Sequence, residues 1–409
     1  MTRRYGVVVG GLVVLAVAAC GGTVSLQTPK DEAGGDGSEG ESPSGAGGDG
    51  NGGESPSGAG SSGGTKVNGG AAGTRAAPDP GSAGEPATGG APSQQPLASC
   101  LAEPDCPWSI AEVMPLHSRG HAVAQHQGAF YFLGGMNAED APSFDTDDPN
   151  PPPRYSVVYR YDPASGKWTE RSHMLAGMYS LTARVLGDKI YAFGGYGEGG
   201  FDSTLQIYDP TTDMWTEGPP MPSTRYTFSS QLVDGKVYVM GGQGPIDNPD
   251  AWEPRTLVEV FDPASGWSIG NPLPYLASDF ASCSSNGRIF AFGGDYGNRT
   301  QIYDVAGDTW SQGTPSPVAR GGHTCVSVGE QLILLGGRDG VGALDLVERY
   351  NPVADSWETL DPMPTARYWF AAAALESKVY VFGGEAIGAN TEYYGLLNQI
   401  DVLDLAATP

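Results

Sequence analysis

Between Tyr5 and Trp108 the chain contains no aromatic residue at all. Beyond Cys20 that ring-free segment has few branched aliphatics as well, and such a composition cannot bury enough apolar area to offset the entropy of ordering its backbone. Basic residues are scarce as well: 22 Lys and Arg stand against 47 Asp and Glu, a formal net charge of −25. That balance excludes nucleic acid as a partner, since a phosphate backbone demands a basic surface. It equally excludes a basic patch for anionic lipid, and reads as a device for solubility. No apolar run is long enough to cross a bilayer comfortably. With 5 histidines and 5 cysteines in 409 residues, no His/Cys/carboxylate cluster has metal-ligand spacing. There is no glycine-rich phosphate loop and no nucleophile elbow. Neither a cofactor nor a metal is expected. Glycine (62) and proline (33) are plentiful, and they saturate the N-terminal quarter.

Residues 1–19 read as an export leader, with Arg3 and Arg4 followed by an apolar stretch from Val7 to Ala19. Its ending, Leu15-Ala16-Val17-Ala18-Ala19-Cys20, resembles the lipobox of bacterial lipoproteins. That resemblance implies acylation of Cys20, cleavage just before it, and residence in a bacterial cell envelope. Gly21 at the following position points to the outer membrane; the alternative is a plain secreted protein. Residues 20–98 then form a disordered Gly/Ser/Pro-rich tether, with ESPSGAG at 41–47 and again at 54–60. A flexible chain of this length spans roughly 50 Å root-mean-square. Cys100 and Cys106 lie close enough for a small disulfide loop in an exported protein.

From Trp108 onward the chain repeats itself. Six short β-rich runs end in Gly-Gly: AFYFLGG at 129–135, KIYAFGG at 189–195, KVYVMGG at 236–242, RIFAFGG at 288–294, QLILLGG at 331–337 and KVYVFGG at 378–384. Their starts are 60, 47, 52, 43 and 47 residues apart, the spacing of four-stranded propeller blades. Turns such as Asp234-Gly235 and Asn286-Gly287 precede them, as in tight hairpins. A third strand follows each (VYRYDP, LQIYDP, VEVFDP, TQIYDV, VERYNP, IDVLDL), and then a tryptophan: Trp168, Trp215, Trp267, Trp310 and Trp357. Including the openings MPSTRY at 221–226 and MPTARY at 363–368, the pattern resembles the Kelch family over about 300 residues. The fold expected is all-β, a six-bladed propeller over 99–409. The last repeat ends without its tryptophan, so the segment around Trp108 should supply the missing strand and leave no open sheet edge. Trp252 and Trp369 stand outside the pattern.

Function would sit on the ring face that carries the loops between second and third strands, because those loops vary while the opposite ones are short. The lead-ins to the first strands carry Arg119, Arg225, Arg320 and Arg367, with Tyr179, Tyr226, His121, His323, Tyr368 and Trp369 beside them. Blade four offers Ala277, Ser278 and Asp279 instead. Forked guanidinium donors and aromatic faces suit a carboxylate or sugar ligand. The same arginines and histidines could equally tie blades together, as the Kelch resemblance implies. Asp145, Asp147 and Asp148 lack the ordered spacing of a calcium loop. Cys283 and Cys325, on the first strands of blades four and five, are either a disulfide or two thiols.

These features point to a non-catalytic, monomeric interaction module for a protein or carbohydrate ligand, an anionic one included, held at the membrane through its lipid alone. The alternative is a carbohydrate-active enzyme, mutarotase- or isomerase-like, working through the mouth arginines and tyrosines. No active-site signature of the copper oxidases, mutarotases or iron-dependent specifier proteins of this fold is present.

Overall fold

The computed structural model describes residues 100–103, 105–136, 156–245, 253–295, 297–386 and 395–406. Cys20, the tether, the Asp145–Asp148 loop and Trp252 lie outside the described residues.

The chain forms a six-bladed β-propeller. Five blades are continuous four-stranded antiparallel sheets over 122–171, 182–218, 229–269, 281–313 and 324–359. The sixth combines three strands from the chain's end with Trp108–Ile110 as its outermost strand, pairing Trp108 with Leu403. Neighbouring first strands run side by side around the axis, the sixth next to the first again. The Cys100–Cys106 disulfide immediately precedes this latch and packs on the same core.

Each strand boundary has a chemical cause. The inner hairpins turn on pairs such as Asp234 and Gly235, both at positive φ (50° and 76°), which the mirror-image turn of a right-twisted hairpin requires. The Gly-Gly pairs link blade to blade. The N–H of the second glycine donates to a carbonyl on the next lead-in: Gly135 to Met178, Gly195 to Arg225, Gly242 to Ala277, Gly294 to Arg320, Gly337 to Arg367 and Gly384 to Ser118. All six lie at 2.8–3.1 Å. Glycine is required because a Cβ at Gly242 would stand 2.7 Å from the Tyr226 carbonyl, at a φ of +86°.

Farther out, the third-strand aromatic packs on the fourth-strand tryptophan, with ring centroids 4.8 Å apart for Tyr161–Trp168, Tyr303–Trp310 and Tyr350–Trp357. The indole N–H reaches the preceding blade: Trp215 donates to the Ser172 carbonyl, Trp267 to Pro219, Trp310 to Asn271, Trp357 to Thr314 and Trp108 to Asp361. Buried and half-buried rings thus form the wedges between blades, five of the six with the polar edge satisfied; the Trp168 N–H meets no partner among the described residues.

Candidate functional site

The lead-ins converge on one mouth of the central channel. Counted from the second residue of each opening, a proline in every blade but the second, where Leu175 stands, they align residue by residue. The first aligned position holds Ser118, Met178, Arg225, Ala277, Arg320 and Arg367; the next holds Arg119, Tyr179, Tyr226, Ser278, Gly321 and Tyr368. Residues of that second position pair across to the residue that follows each Gly-Gly: Arg119 with Met136, Tyr179 with Tyr196, Tyr226 with Gln243, Gly321 with Arg338 and Tyr368 with Glu385. In blade four the Asp295 N–H donates to the Ser278 carbonyl.

The third position lines the mouth itself: Gly120, Ser180, Thr227, Asp279, Gly322 and Trp369. All six adopt positive φ, between 50° and 65°. Outside glycine this conformation costs about 1–2 kcal/mol per residue. Backbone hydrogen bonds hold it in place, from Trp369 to Gly322, Gly322 to Asp279, Asp279 to Thr227, Gly120 to Trp369 and Ser180 to Gly120. Strain repeated at one radius and locked by neighbours marks a pre-formed opening. The cavity there holds about 130 Å³.

This register divides the expected site residues. Arg225, Arg320 and Arg367 are fully buried and ion-paired within their own blades to Glu259 (2.7 Å), Glu348 and Asp401 respectively. Arg225 and Arg367 also donate to the carbonyls of Gly241 and Gly383 at 3.1 and 3.0 Å. Burial pushes the Asp401 carboxyl up and the Arg367 guanidinium down, while each charge opposes that shift in the other. These three arginines therefore do not ring the mouth as ligand donors; they clamp each lead-in to its own blade. Arg119 is one position farther along and behaves differently. It pairs with Glu385 of blade six and lies 5.0 Å over the Trp369 ring.

His323 likewise leaves the ligand set. It aligns with Leu181, Phe228, Phe280 and Phe370, as does His121, and the two are 6 % and 5 % exposed. Among the described residues, no ring nitrogen of either has a partner in hydrogen-bond geometry. Desolvation lowers His121 to about 3, a contact with the Phe382 backbone opposing it, and puts His323 well below its ordinary value with help from Arg320. Both are neutral rings serving as core aromatics, and His121 stacks on Phe132 at 4.4 Å.

Tyr179, Tyr226 and Trp369 do stand half-buried at the mouth, in two unlike halves, whereas the Tyr368 side chain is fully buried. On blades two and three Tyr179, Tyr196, Phe201 and Tyr226 form an aromatic cluster with centroid spacings of 5.4–6.5 Å. Opposite, Arg338 lies 4.6 Å over Trp369 and 5.1 Å over Tyr368. The Trp369 indole N–H donates to Asp279 at 3.1 Å, and Tyr368 donates to Glu385. Asp279 is raised to about 6: desolvation dominates and Asp295 adds to it, while Arg338 and the indole N–H oppose it. A relay from Tyr226 to Gln243 to Ser278 to Asp295 runs from the tyrosine half into blade four. Among the described residues, no group of three or more His, Cys, Asp or Glu could hold a metal ion.

Residues after the Gly-Gly pairs, above all Tyr196, Arg338 and Glu385, escaped the sequence reading. Their signal was available: it is the position directly following each glycine pair.

Comparison with known proteins agrees with this geometry. A family model described as the Kelch motif matches residues 178–222, 277–317 and 319–364. Kelch-like protein 35 is 32 % identical over 140 residues in Mus musculus and 30 % in Homo sapiens, covering 33 % of this chain and 24 % of theirs. Kelch-like protein 36 from Bos taurus is 23 % identical over 293 residues, 68 % of this chain and 37 % of that protein. The chain thus spans well under half the length of these relatives.

Proposed function

Taking the chain as a Kelch-repeat β-propeller, we propose that it is a non-catalytic interaction module that receives a protein segment across the channel mouth. The observation that carries this is the composition of the rim. Half-buried Tyr179, Tyr196, Tyr226, Trp369 and Arg338 surround the pre-formed opening. Tyr, Trp and Arg are the residue types that concentrate binding energy in protein interfaces. Arg338 stacked on Trp369 and Tyr368 offers a carboxylate partner, and Asp279 beside it offers a basic one. The tyrosine half supplies apolar contact area with little conformational freedom to lose.

Location follows from the leader and tether. Acylation at Cys20 would anchor the protein in a bacterial envelope, and residues 21–98 would let the propeller reach partners away from the lipid. Replacing Cys20 by Ser should release the protein from the membrane fraction.

Selection of a displayed random peptide library on the chain, with a glycan array run in parallel, tests the binding reading. Peptides should emerge whose binding drops at least tenfold on Arg338→Ala or Trp369→Ala. Sugar binding without peptide binding would overturn it in favour of a carbohydrate ligand, and turnover of a bound sugar in favour of an enzyme.

A further inference from the structure

Arg184 sits on the first strand of blade two and lines the channel interior, together with Gln125, Gln231 and Ser327. It shares its repeat position with Gln231 and Cys283. All three reach across to the following blade: Arg184 donates to the Ser230 carbonyl, Gln231 to the Ser282 carbonyl at 2.6 Å, and Cys283 is bonded to Cys325. Blades two to five are stitched together by these contacts.

Arg184 is unlike its neighbours in one respect. Its protein partners are two backbone carbonyls, those of Ala183 and Ser230. Among the described residues it has no carboxylate within salt-bridge distance, whereas Arg119, Arg225, Arg320 and Arg367 each have one. Burial lowers it only to about 10, so it stays charged at neutral pH. The lining around it brings amide and hydroxyl groups but no acid, and the adjoining cavities measure about 230 and 200 Å³. The Gln125 side chain makes no hydrogen bond to any described residue and is partly exposed to that space.

A half-buried cation whose protein partners are carbonyl dipoles has no carboxylate to balance its charge and still faces the cavity. We propose that the central channel is a binding site for a small anion, a halide or a carboxylate, held by the Arg184 guanidinium with Gln125 as a further donor. This site lies inside the ring, below the mouth, and stands whether or not the mouth binds a protein.

The probe is bromide. Crystals of the full chain grown without chloride and soaked in bromide should show anomalous density in the channel, at hydrogen-bond distance from Arg184. In solution, at ten times its dissociation constant, bromide should raise the melting temperature by about 2–4 °C over gluconate at matched ionic strength. Arg184→Gln should abolish that difference, and Arg184→Lys, which keeps the charge, should retain part of it. No anomalous density at Arg184, or an equal bromide response in Arg184→Gln, would overturn the proposal. Should Arg184→Gln fail to fold, the anomalous map and Arg184→Lys still decide it.

Discussion

Arg367 and Arg338 stand on either side of one hydrogen bond, from the Gly337 N–H to the Arg367 carbonyl, and their environments are opposite. Arg367 is sealed from solvent and faces Asp401, with a second bond to the Gly383 carbonyl. Arg338 is partly exposed and lies flat on Trp369 and Tyr368 at the mouth. One guanidinium therefore acts on the fold, and the other is the one the proposed binding role assigns to the rim. A buried charge is tolerated only with its partner in place, whereas a stacked, partly solvated one can change partners at little cost. Residue type does not separate these roles; register within the repeat does.

The widest gap between the two classes should appear when a clamp is broken. Arg367→Ala leaves Asp401 buried without its counter-charge and should lower stability by about 3–5 kcal/mol in chemical denaturation. The pair Arg367→Met with Asp401→Leu should lose much less. A single variant as stable as the wild type would erase the distinction between clamp and rim.

Next comes the backbone that holds the rim. Gly322 has φ +65°, and a Cβ there would meet the Trp369 indole at 3.0 Å. Gly322→Ala should cost about 1–2 kcal/mol through the left-handed conformation and shift tryptophan fluorescence by displacing that ring. A change in stability without a spectral change would show that Trp369 is not seated on Gly322.

A smaller effect comes through Asp279, whose folded value of about 6 lies above its ordinary 3.8. Folding thus favours the protonated form. Its contribution to stability is full below about pH 4 and is lost as the pH rises to about 6. Wild type should lose stability relative to Asp279→Asn across that window and run parallel to it above. Parallel curves throughout would mean that Asp279 titrates normally. A partner's basic group should bind better above pH 6, where Asp279 is ionised.

How much of this was legible in the sequence depends on the scale of the feature. The ring, its six blades and the latch through Trp108 follow from Gly-Gly and tryptophan spacing, because those residues make the blade-to-blade bonds themselves. The site was legible only in part. Arg119 and Arg225 look alike in sequence, yet Arg119 lies five residues beyond its opening Met114 and Arg225 four beyond Met221. That offset sends one to Glu385 of another blade and the other to Glu259 of its own. His323 stood among the ligand candidates by residue type, yet it and His121 share a scaffold-like place 13 residues before their Gly-Gly, and burial makes both neutral rings in a phenylalanine position. Arg338 is marked in the sequence only by its place after a glycine pair; the fold puts its guanidinium over Trp369.

The most direct test is the paired effect of Arg338→Ala on partner binding and on melting. For a peptide selected on the wild-type chain, a tenfold or greater loss of affinity is expected, about 1.4 kcal/mol or more. The melting temperature should fall by no more than about 2–4 °C, since a stacked cation at a partly exposed site contributes about 0.5–1 kcal/mol. Unchanged affinity, or a loss of affinity matched by a collapse in stability like that of Arg367→Ala, would contradict the account.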